Sequence, residues 1–330
     1  MDLYRAARPA LFAIRPETAH RVAHVALGLP LPWERVGGAL TDPSLRTSLA
    51  GIDLTNPIGL AAGFDKTGLR LGALGRLGFG YVVGGTFTCA PRMGNRRPTI
   101  VRYVDRSSMV NAMGLPNPGA AASARTLATT QRTSPRFASI ADEAVRDAVE
   151  THALLEPHVD AVELNASCPN VSWGRDRDNE AHLADLLAAF GERRKPLFVK
   201  LPPFRSDAER DAVLAVASVA IAGGADGLTC SNTRPVRDRR LSTGEGGLSG
   251  RALFGDTPRI VEQVATATHG EVPINAGGGV FSAADARACL NAGATTVQIY
   301  SALIFRGPRI VRELTAGLAG AVAGIRAAAA

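Results

Sequence analysis

The chain is poor in the residues that build disulfide frameworks and metal centres. Its 330 residues include four cysteines, no two of which form a CxxC pair, and six histidines that form neither an HxH nor an HExxH pattern. Widely separated thiols without a visible secretory signal are typical of a reduced, cytosolic protein. The lack of paired ligands argues against a catalytic metal, and we expect none.

Aromatic residues and long apolar runs are scarce as well. Aromatic residues make up 5% of the chain, and no apolar stretch reaches the roughly 18 residues that a membrane-spanning helix needs. The formal net charge is +7, but the basic residues are scattered and are not interleaved with stacking rings. We therefore expect no nucleic-acid partner. A mildly basic surface suits an anionic ligand or an anionic membrane face.

The chain is rich instead in short apolar segments that alternate with helix-length segments from about Gly51 onward. The predicted strands are 57–63, 81–86, 137–141, 161–167, 197–202, 227–232, 273–278 and 296–302. Amphipathic stretches between them cover 69–77, 142–156, 180–194, 207–222, 257–268 and 283–292. Eight β/α units in this length predict an α/β protein with a (β/α)8 TIM barrel. Because no GxGxxG follows the first strand, an open dinucleotide-binding sheet is less favoured.

The first 45 residues differ from the rest. Residues 3–12 and 16–27 read as two short amphipathic helices, and Pro16 with Glu17 suits the start of the second. A hairpin this small has no core of its own, so it must lie on the barrel, on a membrane surface or on a partner. We divide the chain into an N-terminal helical extension, 1–45, and a barrel, 46–330.

Polar residues or glycines stand at nearly every predicted strand end, where TIM barrels bind their ligands. In chain order these are Lys66, Thr86, Ser139, Asn165 with Cys168, Lys200, Asn232 with Thr233, Gly278 with Gly279, and Tyr300 with Ser301. The lysines and asparagines at these strand ends exceed what turns require. The pattern predicts a binding site at the mouth of the barrel.

Two features of this mouth indicate particular ligands. The loop AGGGVFS at 276–282 and the segment QIYS at 298–301 follow strands seven and eight, where barrels often bind phosphate. Lys66 and Lys200 end apolar strands. Burying a lysine there costs free energy unless an anionic group binds its ammonium. A Schiff-base lysine, as in an aldolase, is the competing function.

The segment DAVELNASCPNV at 160–171 is the most informative stretch. It brings Asn165, Ser167, Cys168 and Asn170 to the end of one strand. Asparagine amides suit the recognition of an amide or imide edge, and the Cys168 thiol could move a proton. A buried structural cysteine is equally compatible with the segment alone. Asn111 to Asn117 and Ser231 to Thr233 supply further amides.

Together these motifs resemble the dihydroorotate dehydrogenase family, flavoenzymes that oxidise dihydroorotate to orotate in pyrimidine synthesis. The resemblance covers nearly the whole chain. It rests on NPIGLAAGFDK at 56–66, GGT at 84–86, NAMGL at 111–115, NASCPN at 165–170, NT at 232–233, GGLSG at 246–250 and QIYS at 298–301.

The resemblance implies three sets of site residues. FMN would contact Ala62, Gly63, Lys66, Thr86, Ser139, Asn165, Lys200, Ser231, Gly250, Gly278, Gly279, Tyr300 and Ser301. Dihydroorotate or orotate would contact Lys66, Asn111, Ala112, Met113, Gly114, Leu115, Asn165, Asn170, Asn232 and Thr233. A quinone would meet His20, Arg102 and Tyr300.

The N-terminal extension resembles that of the quinone-using class, which associates with membranes. This implies peripheral attachment to the cytoplasmic face of the cell membrane, with a monomer as the favoured state. The chain departs from that class at Cys168, where the class carries serine, and at Asn111 to Asn117, which is closer to the soluble class. Ser139 also stands where a flavin-contacting asparagine is usual.

The resemblance implies a mechanism in which Cys168 removes the C5 proton of dihydroorotate while hydride passes from C6 to FMN. Lys200 would stabilise negative charge at the N1/O2 edge of the flavin. Alternatives are another dihydropyrimidine substrate, a soluble acceptor such as fumarate, the aldolase above, or a non-enzymatic barrel that binds flavin or phosphate.

Overall fold

The computed structural model describes residues 3–166 and 179–329 of the chain. Its strands are β1 (Thr47–Leu49), β2 (Ile52–Leu54), β3 (Ile58–Leu60), β4 (Tyr81–Phe87), β5 (Ile100–Tyr103), β6 (Ser108–Asn111), β7 (Arg136–Ile140), β8 (Ala161–Leu164), β9 (Leu197–Leu201), β10 (Gly227–Cys230), β11 (Arg234–Arg237), β12 (Glu245–Gly250), β13 (Ile274–Gly277) and β14 (Thr296–Ile299). Its α-helices are α1 (Leu3–Ala13), α2 (Pro16–Ala26), α3 (Trp33–Gly37), α4 (Leu71–Gly75), α5 (Ala120–Thr129), α6 (Val145–Leu155), α7 (Asn179–Phe190), α8 (Asp207–Ala222), α9 (Thr257–Ala267), α10 (Ala283–Asn291), α11 (Ser301–Arg306) and α12 (Ile310–Ala329).

Eight parallel strands close into a barrel in the order β10-β13-β14-β3-β4-β7-β8-β9. Each corresponds to one of the eight predicted strands, so the predicted (β/α)8 TIM barrel is confirmed. Several strands end earlier than predicted, because their polar tips leave the ladder to line the mouth. The clearest case is β14, which ends at Ile299, while α11 begins at Ser301 within the segment predicted as strand.

The opposite end of the barrel is sealed by apolar side chains. Leu49 and Leu54, from the β1–β2 hairpin, pack in one buried cluster with Tyr81, Phe137 and Phe198 at the beginnings of barrel strands. The rings of Tyr81 and Phe137 stack with centroids 4.7 Å apart. Ligands therefore enter at the C-terminal end of the strands.

A second, antiparallel sheet in the order β11-β12-β6-β5 was not predicted. It is built from the long connections that follow β4 and β10, and Val101, Val110 and Leu241 form its small core. Its β12 pairs with β6 so that Gly247 lies opposite Asn111. This sheet brings Asn111 and the glycines of β12 to the barrel mouth.

The N-terminal helices α1 and α2 form a hairpin that packs beside this sheet. Glu17 accepts hydrogen bonds from the backbone nitrogens of Thr99 and Ile100, at 2.7 and 3.3 Å, which ties α2 to β5. Arg102 of β5 donates to the carbonyl oxygens of Leu11 and Ile14 at the end of α1. Within residues 3–166 and 179–329, no helix combines the length and apolar character needed to cross a bilayer.

Candidate active site at the barrel mouth

A cavity of about 190 Å³ lies at the mouth of the barrel. Most of the predicted ligand-contacting residues line it: Ala62, Gly63, Lys66, Thr86, Asn111, Met113, Gly114, Leu115, Asn165, Lys200, Ser231, Asn232, Thr233, Gly250, Gly278, Gly279, Tyr300 and Ser301. Ser139 and Ala112 lie behind the wall; the Ser139 hydroxyl is 3.0 Å from that of Thr86. Cys168 and Asn170 lie outside the described residues.

The amide side chains form a connected chain across three strand ends. The Asn232 amide donates to Asn165 Oδ1 at 3.0 Å, and the Asn165 amide reaches Thr86 Oγ1 at 3.4 Å. Thr233 N donates to Asn232 Oδ1, which orients that amide. Asn111 Nδ2 contacts the Gly247 carbonyl at 3.4 Å. Preoriented amides of this kind suit a planar ligand with hydrogen-bonding edges.

The loop after β13 forms a backbone cradle that only glycine fits. Gly279 has a φ of +71°, and a Cβ there would meet Phe254 N at 2.6 Å and Gly250 O at 2.8 Å. A Cβ on Gly278 would meet the Thr257 hydroxyl at 2.6 Å. That hydroxyl donates to Gly278 O at 2.8 Å and holds the loop, a contact that the sequence did not reveal. Exposed backbone N–H groups in such a loop suit a phosphate.

Lys66 is a partly buried cation on the wall of the cavity. Its ammonium donates to the carbonyl oxygen of Gly63. Burial lowers the pKa of Lys66 to about 8, although the neighbouring Asp65 carboxylate opposes the shift. An anionic ligand would restore the favourable environment that the lysine lost on burial.

Lys200 is also nearly buried, but it has an acidic partner. Its Nζ lies 3.4 Å from Oε1 of Glu163, whose side chain is fully buried on β8. Glu163 was not predicted as a site residue. The available signal was an acidic residue inside an apolar strand, two positions before Asn165 and therefore on the same face.

A second cavity, of about 250 Å³, lies between the N-terminal hairpin and the barrel. Apolar side chains of α1 and α2, including Phe12, Val22 and Ala23, form one side of its wall. All three residues predicted for the quinone site line it: His20, Arg102 and Tyr300. Ile100, Met109 and Tyr300 line both cavities. The two cavities therefore adjoin across these side chains.

His20 and His24 of α2 contact the loop that carries Lys66. His20 Nε2 lies 2.8 Å from the Phe64 carbonyl, and His24 Nε2 lies 3.2 Å from Asp65 Oδ1. Burial, together with the charge of Lys66, lowers the pKa of His20 to about 4, so its ring is neutral at neutral pH. Because a carbonyl only accepts, Nε2 carries the proton and Nδ1 remains an acceptor.

Asp65 anchors this loop from inside. Burial raises the pKa of its carboxyl, but hydrogen bonds from His24, Thr67 and Arg70 outweigh that effect and lower the pKa below its ordinary value. The ionised carboxylate therefore holds α2 and the Lys66 loop together at neutral pH.

A closed barrel whose mouth presents oriented amides, two lysines and a glycine cradle defines a cofactor-dependent enzyme of the TIM-barrel class.

Comparisons with known proteins identify the family. The profile of the family described as dihydroorotate dehydrogenase matches residues 44–322. A protein of Acidithiobacillus ferrooxidans named dihydroorotate dehydrogenase (quinone) is 37% identical, over 96% of this chain and 94% of that protein. One of Anaeromyxobacter with the same name is 37% identical, over 96% and 92%. The chain belongs to the dihydroorotate dehydrogenase family.

A solved structure agrees with this assignment. The chain is similar to the dihydroorotate dehydrogenase of Eimeria tenella in complex with ferulenol, with a TM-score of 0.80 and 29% identity. The match covers 92% of this chain and 90% of that one. The family resemblance stated from the sequence is thus confirmed.

Proposed function

We propose that this protein oxidises dihydroorotate to orotate in pyrimidine biosynthesis with a bound FMN and passes the electrons to a membrane quinone. The observation that carries the proposal is the pair of adjoining cavities, one lined by two lysines and several amides and the other apolar, that share Ile100, Met109 and Tyr300. The relatives named for the quinone reaction support the same acceptor.

The mouth fits FMN by two independent features. The Gly278–Gly279 loop suits its phosphate, because a side chain at either position would fill the space against Thr257 or Phe254. Gln298 lines the same cavity, and its Oε1 is buried without a hydrogen-bond partner among the described residues. This oxygen could therefore accept a hydrogen bond from an N–H or O–H group of the bound ligand. When bound, FMN supplies the acceptor for hydride.

Substrate binding depends on Lys66 and on the amides. The buried ammonium of Lys66 would pair with the carboxylate of dihydroorotate in an environment of low dielectric, where the attraction is strong. Asn111, Asn165 and Asn232 would bind the planar edge of the ring. Asn170, from the same family motif, remains a predicted fourth amide.

We propose Cys168 as the base that removes the C5 proton, because it follows Asn165 by three positions in the family motif. A free thiol has a pKa of about 8.5, close enough to neutral to accept a proton. The described cysteines are poor rivals. Burial raises the pKa of Cys230 and of Cys289 to about 12, and it also raises the pKa of Cys89. Cys168→Ser should retain FMN and slow flavin reduction by dihydroorotate at least tenfold at neutral pH. Reduction at the wild-type rate would contradict this role.

The second cavity suits a quinone because its wall is apolar and its few polar groups are neutral or already engaged. His20 is neutral and offers Nδ1 as an acceptor for the hydroxyl of the reduced quinone. Arg102 is held by the carbonyls of α1 and lies 4.7 Å from the Phe12 ring. It marks the end of the cavity nearest α1.

The N-terminal hairpin supplies the proposed membrane contact. Its exposed apolar side chains, with relative exposures from 39 to 63%, are Ile14, Val22, Val25, Leu29 and Leu31. Exposed arginines at positions 5, 15 and 21 flank them. Apolar groups with a basic border suit peripheral binding to an anionic leaflet, here the cytoplasmic face of the cell membrane. We propose residues 1–45 as the unit that carries this contact and residues 46–330 as the FMN barrel.

The purified protein should be yellow and should release FMN on denaturation. Dihydroorotate should bleach the flavin in a stopped-flow instrument, and a soluble quinone should restore the colour. Reoxidation by fumarate but not by quinone would assign a soluble acceptor. Colourless protein that borohydride traps as a lysine adduct would contradict the flavin proposal, as would bound flavin that no dihydropyrimidine reduces.

A further inference from the structure

A fully buried carboxylate lies in the barrel wall directly behind the cofactor cavity. Glu163 accepts hydrogen bonds from three side chains on three different strands. The Thr229 hydroxyl donates to Oε2 at 2.9 Å, the Gln298 amide donates to Oε2 at 3.3 Å, and the Lys200 ammonium donates to Oε1 at 3.4 Å. A buried carboxylate is costly without such donors, so these three contacts fix the Glu163 side chain in place.

Two of these three donors line the cavity, namely Lys200 and Gln298. A lysine side chain is flexible and has three donors, so a fixed partner behind it restricts where its ammonium points. The carboxylate also determines the orientation of the Gln298 amide, because only its NH₂ group donates. Its Oε1 is then left as the buried acceptor that has no partner among the described side chains.

Glu163 also alters the charge that the wall presents to a ligand. A lone ammonium at Lys200 would strongly favour a ligand that gains negative charge. A carboxylate 3.4 Å behind the ammonium offsets much of that field. Because both groups are buried, solvent screens the pair only weakly.

We propose that Glu163 is a positioning residue, the counter-ion that fixes Lys200 and Gln298 and sets how strongly the site favours reduced over oxidised FMN. The inference rests on the proposed FMN function, and it concerns the midpoint potential of the bound flavin. Removal of the acidic charge should leave the Lys200 field uncompensated and so favour the reduced, more negative flavin.

The test is a double-mutant cycle of Glu163 and Lys200 in the FMN-loaded protein, in which the midpoint potential of the flavin is measured against reference dyes at pH 7. Glu163→Gln should shift the reduced-to-oxidised affinity ratio at least tenfold toward reduced FMN, a potential about 30 mV more positive for a two-electron couple. Lys200→Met should shift it at least tenfold the other way. The double variant, which removes both charges, should lie within threefold of wild type.

Two controls separate charge from structure. Thr229→Val removes one hydrogen bond to Glu163 without altering a charge, and Glu163→Asp keeps the charge; both should stay within threefold of wild type. A potential for Glu163→Gln within the same threefold range overturns the proposal. If that variant does not retain FMN, the comparison of Lys200→Met with the double variant isolates the acidic charge, and equal potentials there overturn the proposal too.

The outcome for wild type separates this inference from the function it rests on. Wild-type protein that binds no FMN, or whose FMN dihydroorotate does not reduce, refutes the proposed function. Normal wild-type reduction with an unaltered potential in Glu163→Gln refutes only the role of Glu163.

Discussion

The barrel mouth and the cavity under the N-terminal hairpin adjoin, yet they are built on opposite principles. At the mouth, the described polar side chains are fixed by one another, as in the chain from Asn232 through Asn165 to Thr86. Under the hairpin, the wall is mainly aliphatic and aromatic, and the neutral ring of His20 is one of its few polar groups. Hydride transfer needs preoriented charges in a dry site, whereas a lipid-soluble acceptor needs an apolar wall.

The shared boundary keeps the two regions chemically separate. Tyr300 lines both cavities and packs against Phe64, with ring centroids 6.0 Å apart. Burial raises the pKa of Tyr300 to about 12, so its hydroxyl stays neutral and does not act as an acid at neutral pH. Electrons would cross this boundary, while each substrate stays in its own cavity. This separation predicts that substitutions in one region affect one half-reaction only.

The largest effect is expected from Lys66→Met at the mouth. Loss of the buried ammonium leaves the carboxylate of dihydroorotate without its partner, which costs about 4 kcal/mol by analogy with truncated buried charge pairs. We expect the second-order rate of flavin reduction to fall about 1000-fold in stopped-flow experiments. Oxidation of chemically reduced flavin by quinone should remain at the wild-type rate.

Lys195→Met is the matched control for Lys66, since Lys195 lines neither cavity. It should behave as wild type in both half-reactions. If Lys66→Met slowed quinone reoxidation as much as reduction, the two cavities would not be functionally separate.

The second test places a tryptophan side chain in the apolar cavity by the substitution Ala23→Trp. Ala23 lines the cavity from α2, and an indole ring there would occupy much of the space that a quinone needs. We expect quinone turnover to fall about 100-fold, because access and orientation are both lost. Reduction of the flavin by dihydroorotate should be unchanged. Thr18→Trp, at an exposed position of the same helix, is the control and should lose less than twofold.

The barrel and its mouth could be predicted from the sequence, because regularly spaced apolar strands end in polar residues. The C-terminal ends of these parallel strands meet at one mouth, so their order along the chain is enough to bring Lys66, Asn165 and Lys200 together. The four-stranded antiparallel sheet was not predicted. Its strands are short, β12 is rich in glycine, and β12 pairs with β6 across more than 130 positions of sequence.

The same limit applied to contacts between distant elements. Glu163 gave only a weak signal, because its three donors come from β9, β10 and β14 and no spacing in the chain relates them. The bond from Thr257 to the glycine loop and the contact of His24 with Asp65 likewise depend on packing. Local patterns determine the elements, whereas tertiary packing determines these partners.

A third test uses pH to examine the mouth. The pKa of Lys66 is about 8 in the free site, and a bound carboxylate should raise it toward its ordinary value of 10.5. Free protein then loses the proton above pH 8 while the complex keeps it, so binding weakens as pH rises. We expect the Kd for orotate, measured by flavin absorbance, to increase about tenfold from pH 7 to pH 9. Lys66→Met should bind weakly without this dependence, and a flat profile in wild type would remove Lys66 from the carboxylate site.

The smallest effect is expected where the hairpin meets β5. Glu17→Ala removes the acceptor for Thr99 N and Ile100 N, at a cost of about 1 kcal/mol in local stability. Amide exchange in α2 should accelerate about fivefold at neutral pH, with exchange in the barrel strands unchanged. Glu34→Ala is the control, because the Glu34 carboxylate forms an exposed ion pair with Arg76, and its loss should alter exchange less than twofold.

The pH dependence of this tie has a definite sign. Burial raises the pKa of Glu17, but the hydrogen bonds from Thr99 and Ile100 lower it below its ordinary value of 4.5. The stabilisation is therefore complete above that value and is lost as pH falls through the lower folded-state pKa. Wild type should melt above Glu17→Ala at pH 7, and the difference should shrink toward pH 3. A difference that persisted at pH 3 would mean that Glu17 holds the hairpin by packing rather than by its charge.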